Sequence, residues 1–489
     1  MLGRRAFLGT GLAALGALQT GLRPAGAAAP ATLTIQRRVI EVNKQPASVY
    51  GLVRAGGKPG LELAAGERFR VTLRNEAGLP TLIHWHGQTP PLAQDGVPGL
   101  SQPLLPPGQR YDYDYAPRTG THWMHAHEGL HEQLLMAGPL IVHEDAAPAM
   151  QEVVVMLHDF TFSDAAEVFA KLGSGHGSHG AHGGHAGMDH AKMDHSKMDH
   201  AKMGHAAMGH GTPSGGAAPM VHLHDVEYDA FLANDRTLDD PEVVRVERGA
   251  KVRLRLINAA TATAFIIDTG ALPARAIAVD GNPVEPVAGQ RFPMAMGQRL
   301  DLVLAIPRDH GAWPVFARRE GETARTGIVL ATARGRIARI ASTGRQKAPV
   351  ADLGLEQRLR ARQPLPRRRP DRTLRVVLGE KPPYIWTLND ATFDQRRPLA
   401  VRRDERVHLT FENASSMMHP MHLHGHHFQV VELGRQRIQG AMRDTVIVPA
   451  NGGRVTVAFD TDNVGEWMLH CHNLYHMAAG MMTTVKYEA

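Results

Sequence analysis

Three stretches of the chain share one alternation of apolar and polar positions. Residues 61–75 read LELAAGERFRVTLRN, 244–258 read VRVERGAKVRLRLIN, and 399–413 read LAVRRDERVHLTFEN. Each predicts a short strand, a turn at Gly66, Gly249 or Asp404, and a second strand ending in Asn. Period-two alternation over short segments with turn residues between them belongs to β-sandwiches. Three copies therefore predict an all-β chain of three sandwich domains, and 489 residues is a suitable length for three domains of ordinary size.

The repeats bring histidines into register. Nine residues after Asn75 stands His84, in His84-Trp85-His86-Gly87, and nine after Asn413 stands His422, in His422-Leu423-His424-Gly425. The same offset from Asn258 falls on Ile267, so the middle copy lacks the pair. Further along, GTHWMHAH from Gly120 matches GEWMLHCH from Gly465, which registers His125 on His470, Ala126 on Cys471 and His127 on His472. His122 falls outside this register and is excluded as a ligand.

Residues two apart on a strand share a face, so each His-x-His presents both imidazoles to one side. If the first and third domains pack pseudo-symmetrically, eight histidines meet. That is more than one metal needs and suits a cluster of three. Cys471 is the sole cysteine, with His476 five residues on and Met481 five beyond that. One thiolate, two imidazoles and a weak axial thioether are the ligands of a blue-copper centre. Because neighbouring strand residues face opposite ways, Cys471 faces one metal while His470 and His472 face others behind it.

With these motifs assembled, the chain resembles the multicopper oxidases. The four blocks are HWHG at His84, HAH at His125, HPMHLHGH at His419 and HCHNLYHMAAGM at His470, in that family's order. The resemblance implies three cupredoxin-like Greek-key β-sandwich domains and four copper ions. Type 1 copper would take His419, Cys471 and His476, with Met481 axial; the neighbouring Met482 breaks the spacing. Type 2 would take His84 and His422, and the type 3 pair His86, His125, His127, His424, His470 and His472. The implied reaction is four one-electron oxidations of a donor coupled to reduction of O2 to two waters.

The resemblance also places Asp444, in Arg443-Asp444-Thr445, beside the type 1 histidine and in contact with substrate, with Met442 as a cuprous contact. It assigns Asp95 to the acidic position near the cluster. Many members of the resembling family carry Glu just before the last type 1 histidine; here Tyr475 stands there, and Glu128, next to His127, is a candidate substitute acid, with an ordinary surface-loop acid as the equal alternative.

Residues 1–27 read as a twin-arginine export signal: Arg4-Arg5-Ala6-Phe7-Leu8, a short apolar run, and Ala25-Gly26-Ala27 as cleavage site. The run is too short and Gly-rich for stable membrane insertion. The expected address is the periplasm, reached through the twin-arginine export machinery. The expected boundaries are 28–146 for the first domain, 147–345 for the second, 346–372 for a linker with solvated Arg367-Arg368-Arg369, and 373–489 for the third. Loss of Arg4, Arg5 and Arg23 with the signal would lower the net charge from +6 to +3, which argues against a nucleic-acid partner. A single cysteine excludes an intrachain disulfide.

Residues 174–216 form a low-complexity insertion in the second domain. From Met188 it runs MDHAKMDHSKMDHAKMGHAAMGH, with a Met two residues before each His. Thioethers favour Cu(I) and imidazoles Cu(II), so the tract is a candidate copper collector. Similar tracts occur in copper-resistance members of the resembling family, which points to Cu(I) rather than a phenol as donor. The alternatives are a laccase acting mainly on phenolics and a copper-storage protein whose tract is the working part. A copper nitrite reductase needs one three-histidine copper and not eight cluster histidines.

Overall fold

The computed structural model describes residues 29–144, 150–174 and 221–488. The export signal at 1–27 and, apart from Ser174, the Met/His tract at 174–216 lie outside the described residues. Each sequence repeat becomes a strand–turn–strand unit that crosses between two sheets. Gly66, Gly249 and Asp404 take φ of 72°, 73° and 64°, the left-handed turn that ends the first strand. The first strands, Leu61–Leu63, Val243–Arg245 and Leu399–Val401, pair in parallel with Ala137–Val142, Arg325–Ala331 and Met482–Tyr487. The second strands, Phe69–Glu76, Lys251–Asn258 and Arg406–Asn413, lie in the opposing sheets, each beside a parallel strand from earlier in its domain.

The closing asparagine does the same work three times. Asn75, Asn258 and Asn413 are buried, and each donates Nδ2–H to two backbone carbonyls while its Oδ1 accepts the amide two residues on. A buried amide so satisfied costs little, whereas an apolar replacement would strand those carbonyls. The outcome is three β-sandwich domains: four strands on four, six on five, and seven on five. Alternation fills each core from the expected positions, as in Phe69, Val71 and Leu73 of the first domain and Val407, Leu409 and Phe411 of the third.

Residues 346–372 differ from a solvated linker. Leu355 and Leu359 pack into the middle domain's core, and the buried Glu356 pairs with Arg443 of the third domain at 2.8 Å. Two leucines one helical turn apart found an apolar surface to cover. The Arg367-Arg368-Arg369 end is exposed, as expected. Among the described residues, no helix is long and apolar enough to cross a membrane.

Candidate metal centres

Strand register carries the histidines to one seam. In the first domain His84 lies opposite His125 on neighbouring antiparallel strands. In the third, His422 lies opposite His470 and Met421 opposite Cys471. Ile267, at the equivalent place in the middle domain, is part of an apolar core and offers no ligand.

At the seam the eight imidazoles are buried. His86, His125 and His472 form one group whose donor atoms lie within 4.8 Å of one another, and His127, His424 and His470 form a second. His84 and His422 join a third group that shares His86. Hydrogen bonding fixes the outward edges. The Nδ1–H of His84 donates to the Asp95 carbonyl at 2.8 Å, that of His422 to the Asp444 carbonyl at 2.9 Å, and that of His470 to the Cys471 carbonyl at 2.9 Å. His424 Nδ1 meets the Asp95 carboxylate and His125 Nδ1 the Glu132 carboxylate, both at 2.9 Å.

The inward edges have no protein partner: Nε2 of His84, His125, His127, His422 and His472, and Nδ1 of His86. The Nε2 atoms of His424 and His470 face each other at 3.0 Å. Six such nitrogens without a protein partner, converging on one seam in groups whose donor atoms lie within 4.8 Å, are the donor set a cation would take. Burial first, then repulsion from neighbouring charges, holds His86, His125, His127, His422, His424 and His470 well below the ordinary imidazole range; burial brings His472 to about 4 against the opposing pull of the Glu132 carboxylate. The rings are neutral, the state a metal requires.

On the opposite face of the Cys471 strand, Cys471 Sγ lies 3.5 Å from His419 Nδ1 and 3.8 Å from His476 Nδ1, and the two nitrogens are 3.1 Å apart. Ser415 Oγ and Asp225 Oδ2 hold the far nitrogens of the two rings at 2.7 Å. Burial pushes the Cys471 thiol far up, so a thiolate there needs a cation beside it. Met481 is fully buried with Cys471, and its backbone bonds to both Cys471 and His476. These donors fit a thiolate–diimidazole copper site, and the clustered imidazoles are donors suited to further metal ions. His122 is in none of the donor groups; its Nε2–H donates to the Thr119 carbonyl.

Two expectations need correction. Asp444 does not reach the type 1 histidines. The strand Thr445–Val448 runs antiparallel to His419–Leu423 and sets Val448, not Asp444, opposite His419; Thr445 is opposite His422. Asp444 therefore sits at the cluster end, buried against Arg299 and His86. Although burial pushes its carboxyl up, Arg299 holds it well below the usual carboxylate range. Met442 lines a separate cavity with Arg118, His427 and Asp462. Nor is Glu128 the buried acid beside the cluster. Glu128 is only partly buried, whereas Glu132, four residues on, is 2 % exposed, and burial pushes its carboxyl up to about 7. Tyr475 is buried and donates its hydroxyl to Gln133 Oε1 at 2.9 Å, on the same turn as Glu132.

Sequence reading missed Asp225, Glu132 and Arg299. The one available signal was Glu132, an acid in a half-polar turn five residues past His127.

Comparison with known proteins agrees with this geometry. Three family models, each described as multicopper oxidase, match residues 34–147, 152–336 and 367–489. The multicopper oxidase MmcO of Mycobacterium tuberculosis is 28% identical, over 97% of this chain and 90% of that protein. Copper resistance protein A of Escherichia coli is 24% identical over 88% of each chain. Among solved structures, the multi-copper oxidase of Pseudomonas thermotolerans superposes with a TM-score of 0.68 at 23% identity, covering 94% of this chain and 98% of its own. The laccase of Botrytis aclada does so at 0.72 and 21% identity, covering 94% and 87%.

Proposed function

The chain belongs to the multicopper oxidase family, and from that premise we propose that it oxidises cuprous ion with O2 in copper tolerance. Four Cu(I) would give up one electron each, and O2 with four protons would become two waters. Copper, when bound, supplies the one-electron steps and the site of O2 reduction. His419, Cys471, His476 and Met481 would hold the electron-accepting ion. His84 and His422 would hold one cluster ion, and His86, His125, His127, His424, His470 and His472 the other two. His470 and His472 flank Cys471, so the path between the centres is a single residue's bonds.

The observation that carries the choice of donor is the cavity over His476. It has a volume of about 530 Å3 and is lined by His222, His224, Asp225, Glu380 and Met417 beside an aromatic wall of Tyr384 and Trp386. Trp386 stacks on His476 with ring centroids 3.9 Å apart. Asp225 Oδ2 accepts both His476 Nε2–H and the Tyr384 hydroxyl. Burial pushes its carboxyl up, but His476 and Tyr384 hold it below the usual range, so an anion stands at the outer edge of the electron-accepting imidazole. Lys381 also lines the cavity but is paired with Asp390 at 2.9 Å, and the remaining carboxylates, imidazoles and thioether suit a small cation better than a phenol. Leu172 and His222, on either side of the Met/His tract, both border this cavity. The tract would deliver copper there, and the name of the Escherichia coli relative supports a role in copper tolerance. The Arg4-Arg5 segment supports twin-arginine export to the periplasm.

The Asp225→Asn protein is expected to stay blue. Its KM for cuprous ion should rise about tenfold to a hundredfold, the loss of one charge-assisted contact, while a phenol's KM moves much less. Equal kinetics with cuprous ion and a larger effect on the phenol would make this a phenol oxidase. Deletion of residues 175–220 is expected to leave phenol turnover intact and remove copper bound in excess of four ions. Loss of all oxygen consumption in that protein would favour a storage role.

A further inference from the structure

His86 differs from the other seven cluster histidines. Its inward nitrogen, which has no protein partner, is Nδ1, whereas the inward nitrogen of each of the other seven is Nε2. To ligate through Nδ1, a neutral imidazole must carry its proton on Nε2, and in such rings the hydrogen bond at the far nitrogen decides the tautomer. Two oxygens meet His86 Nε2: Asp444 Oδ1 at 3.1 Å and Thr445 Oγ at 3.2 Å. The Thr445 hydroxyl donates its own hydrogen to Asp444 Oδ1 at 2.9 Å, so both oxygens act as acceptors toward His86.

Asp444 is in turn gripped from the middle domain, which supplies no ligand. Arg299 is fully buried, and both its Nη atoms meet the two Asp444 carboxylate oxygens. Two of its other three hydrogens are placed by the Gly297 carbonyl at 2.8 Å and the Thr121 carbonyl at 3.3 Å, and Asp280 lies 3.7 Å from Nη1. The fit is tight. A Cβ on Gly87, the glycine of His-Trp-His-Gly, would stand 2.4 Å from Arg299 Nη2 and 3.0 Å from Asp444 Oδ2. A Cβ on Gly297 would stand 2.7 Å from His472 and 3.1 Å from His86.

We propose that Arg299 is a positioning residue for the cluster: by clamping Asp444 in a two-pronged ion pair, it locks His86 in the tautomer that offers Nδ1 to a metal. The proposal rests on the copper cluster assigned above. It gives the middle domain a part in the cluster through the segment Gly297-Gln298-Arg299. A planar guanidinium can hold both carboxylate oxygens at once, which a lysine ammonium cannot.

The test compares Arg299→Lys, Asp444→Asn and Glu356→Gln with the parent protein, all fully loaded with copper. Glu356 belongs to the same buried run of charges through Arg443 and Asp280 but touches neither Asp444 nor His86. The readouts are copper per chain, the share of copper visible by electron paramagnetic resonance, the blue absorption and the melting temperature. Arg299→Lys and Asp444→Asn should keep the blue absorption, bind cluster copper about 10–100-fold more weakly, and lose the normal resonance signature of the cluster. Glu356→Gln should lower the melting temperature and leave the cluster unchanged. The inference is overturned if Arg299→Lys and Asp444→Asn keep the full copper count and parental resonance, or if Glu356→Gln loses as much cluster copper as they do. Should Arg299→Lys fail to fold, the near-isosteric Asp444→Asn decides by the same two outcomes. The parent protein separates the levels: parental material without cluster copper refutes the assigned function itself.

Discussion

Cys471→Ser is expected to abolish the blue charge-transfer absorption and reduce turnover of every donor to background, while the fold and the cluster's copper remain. The absorption arises from a thiolate bound to copper, and no other cysteine exists to replace it. A serine hydroxyl does not ionise in a buried site, since burial already pushes even the more acidic thiol far up. The substitution keeps the side chain's size, and the Cys471 amide keeps its bond to the Met481 carbonyl, so the strand is not disturbed. Electrons then have no accepting centre at the cavity and no thiolate path to His470 and His472. Absorption spectroscopy, metal analysis and oxygen uptake on one preparation check the three parts together. Persistent blue colour would show that the thiolate–imidazole group at Cys471, His419 and His476 is not the type 1 centre.

Glu132→Gln is expected to slow reoxidation of the reduced protein by O2 about a hundredfold or more, the usual scale for removing a positioned acid. Reduction of O2 consumes four protons, and the seam's imidazoles are buried. Glu132 is 2 % exposed, with one oxygen on His125 Nδ1 at 2.9 Å and the other without a partner. It is thus both an anchor for a cluster imidazole and an acid able to pass a proton toward O2. Tyr475 is tied to the same turn through Gln133 but is far too weak an acid to replace it, because burial raises its hydroxyl further. Glutamine keeps the shape and an acceptor but holds no transferable proton. Rapid mixing of fully reduced protein with O2 isolates this step from donor oxidation, which should keep its rate. Glu128→Gln should change neither step by more than about twofold, in keeping with a partly exposed surface acid. A reoxidation rate unchanged in Glu132→Gln would remove Glu132 from the proton route.

The histidine and cysteine groups that could hold metal were legible because strand geometry is local. A His-x-His pair needs only period two to aim both rings one way, and the single cysteine between two histidines needs only the same rule. Equally local was the turn at Gly66, Gly249 and Asp404, where left-handed backbone meets a residue type that tolerates it. Asp225 and Arg299, which support these groups, were not legible, since both are brought in from far along the chain. Asp225 is 251 positions from His476, and Arg299 is 145 from Asp444. Asp444 shows how proximity in sequence misleads. It follows the third histidine block closely, yet the antiparallel pairing of Thr445 with His422 carries it to the cluster and away from the type 1 histidines. Register between strands decided the matter, and register is a property of the folded sheet. The stretch 346–372 taught the same lesson: its Pro and Arg content reads as a tether, while Leu355, Glu356 and Leu359 dock it onto two domains.

Eight buried imidazoles from the first and third domains are proposed to enclose three ions beside a fourth held by Cys471. Elemental analysis of copper-saturated protein lacking residues 175–220 measures this directly, because the collector tract is then out of the count. Four copper ions per chain, falling to three in the Cys471→Ser form, is the predicted result. A single bound ion per chain, lost altogether with Cys471, would contradict it.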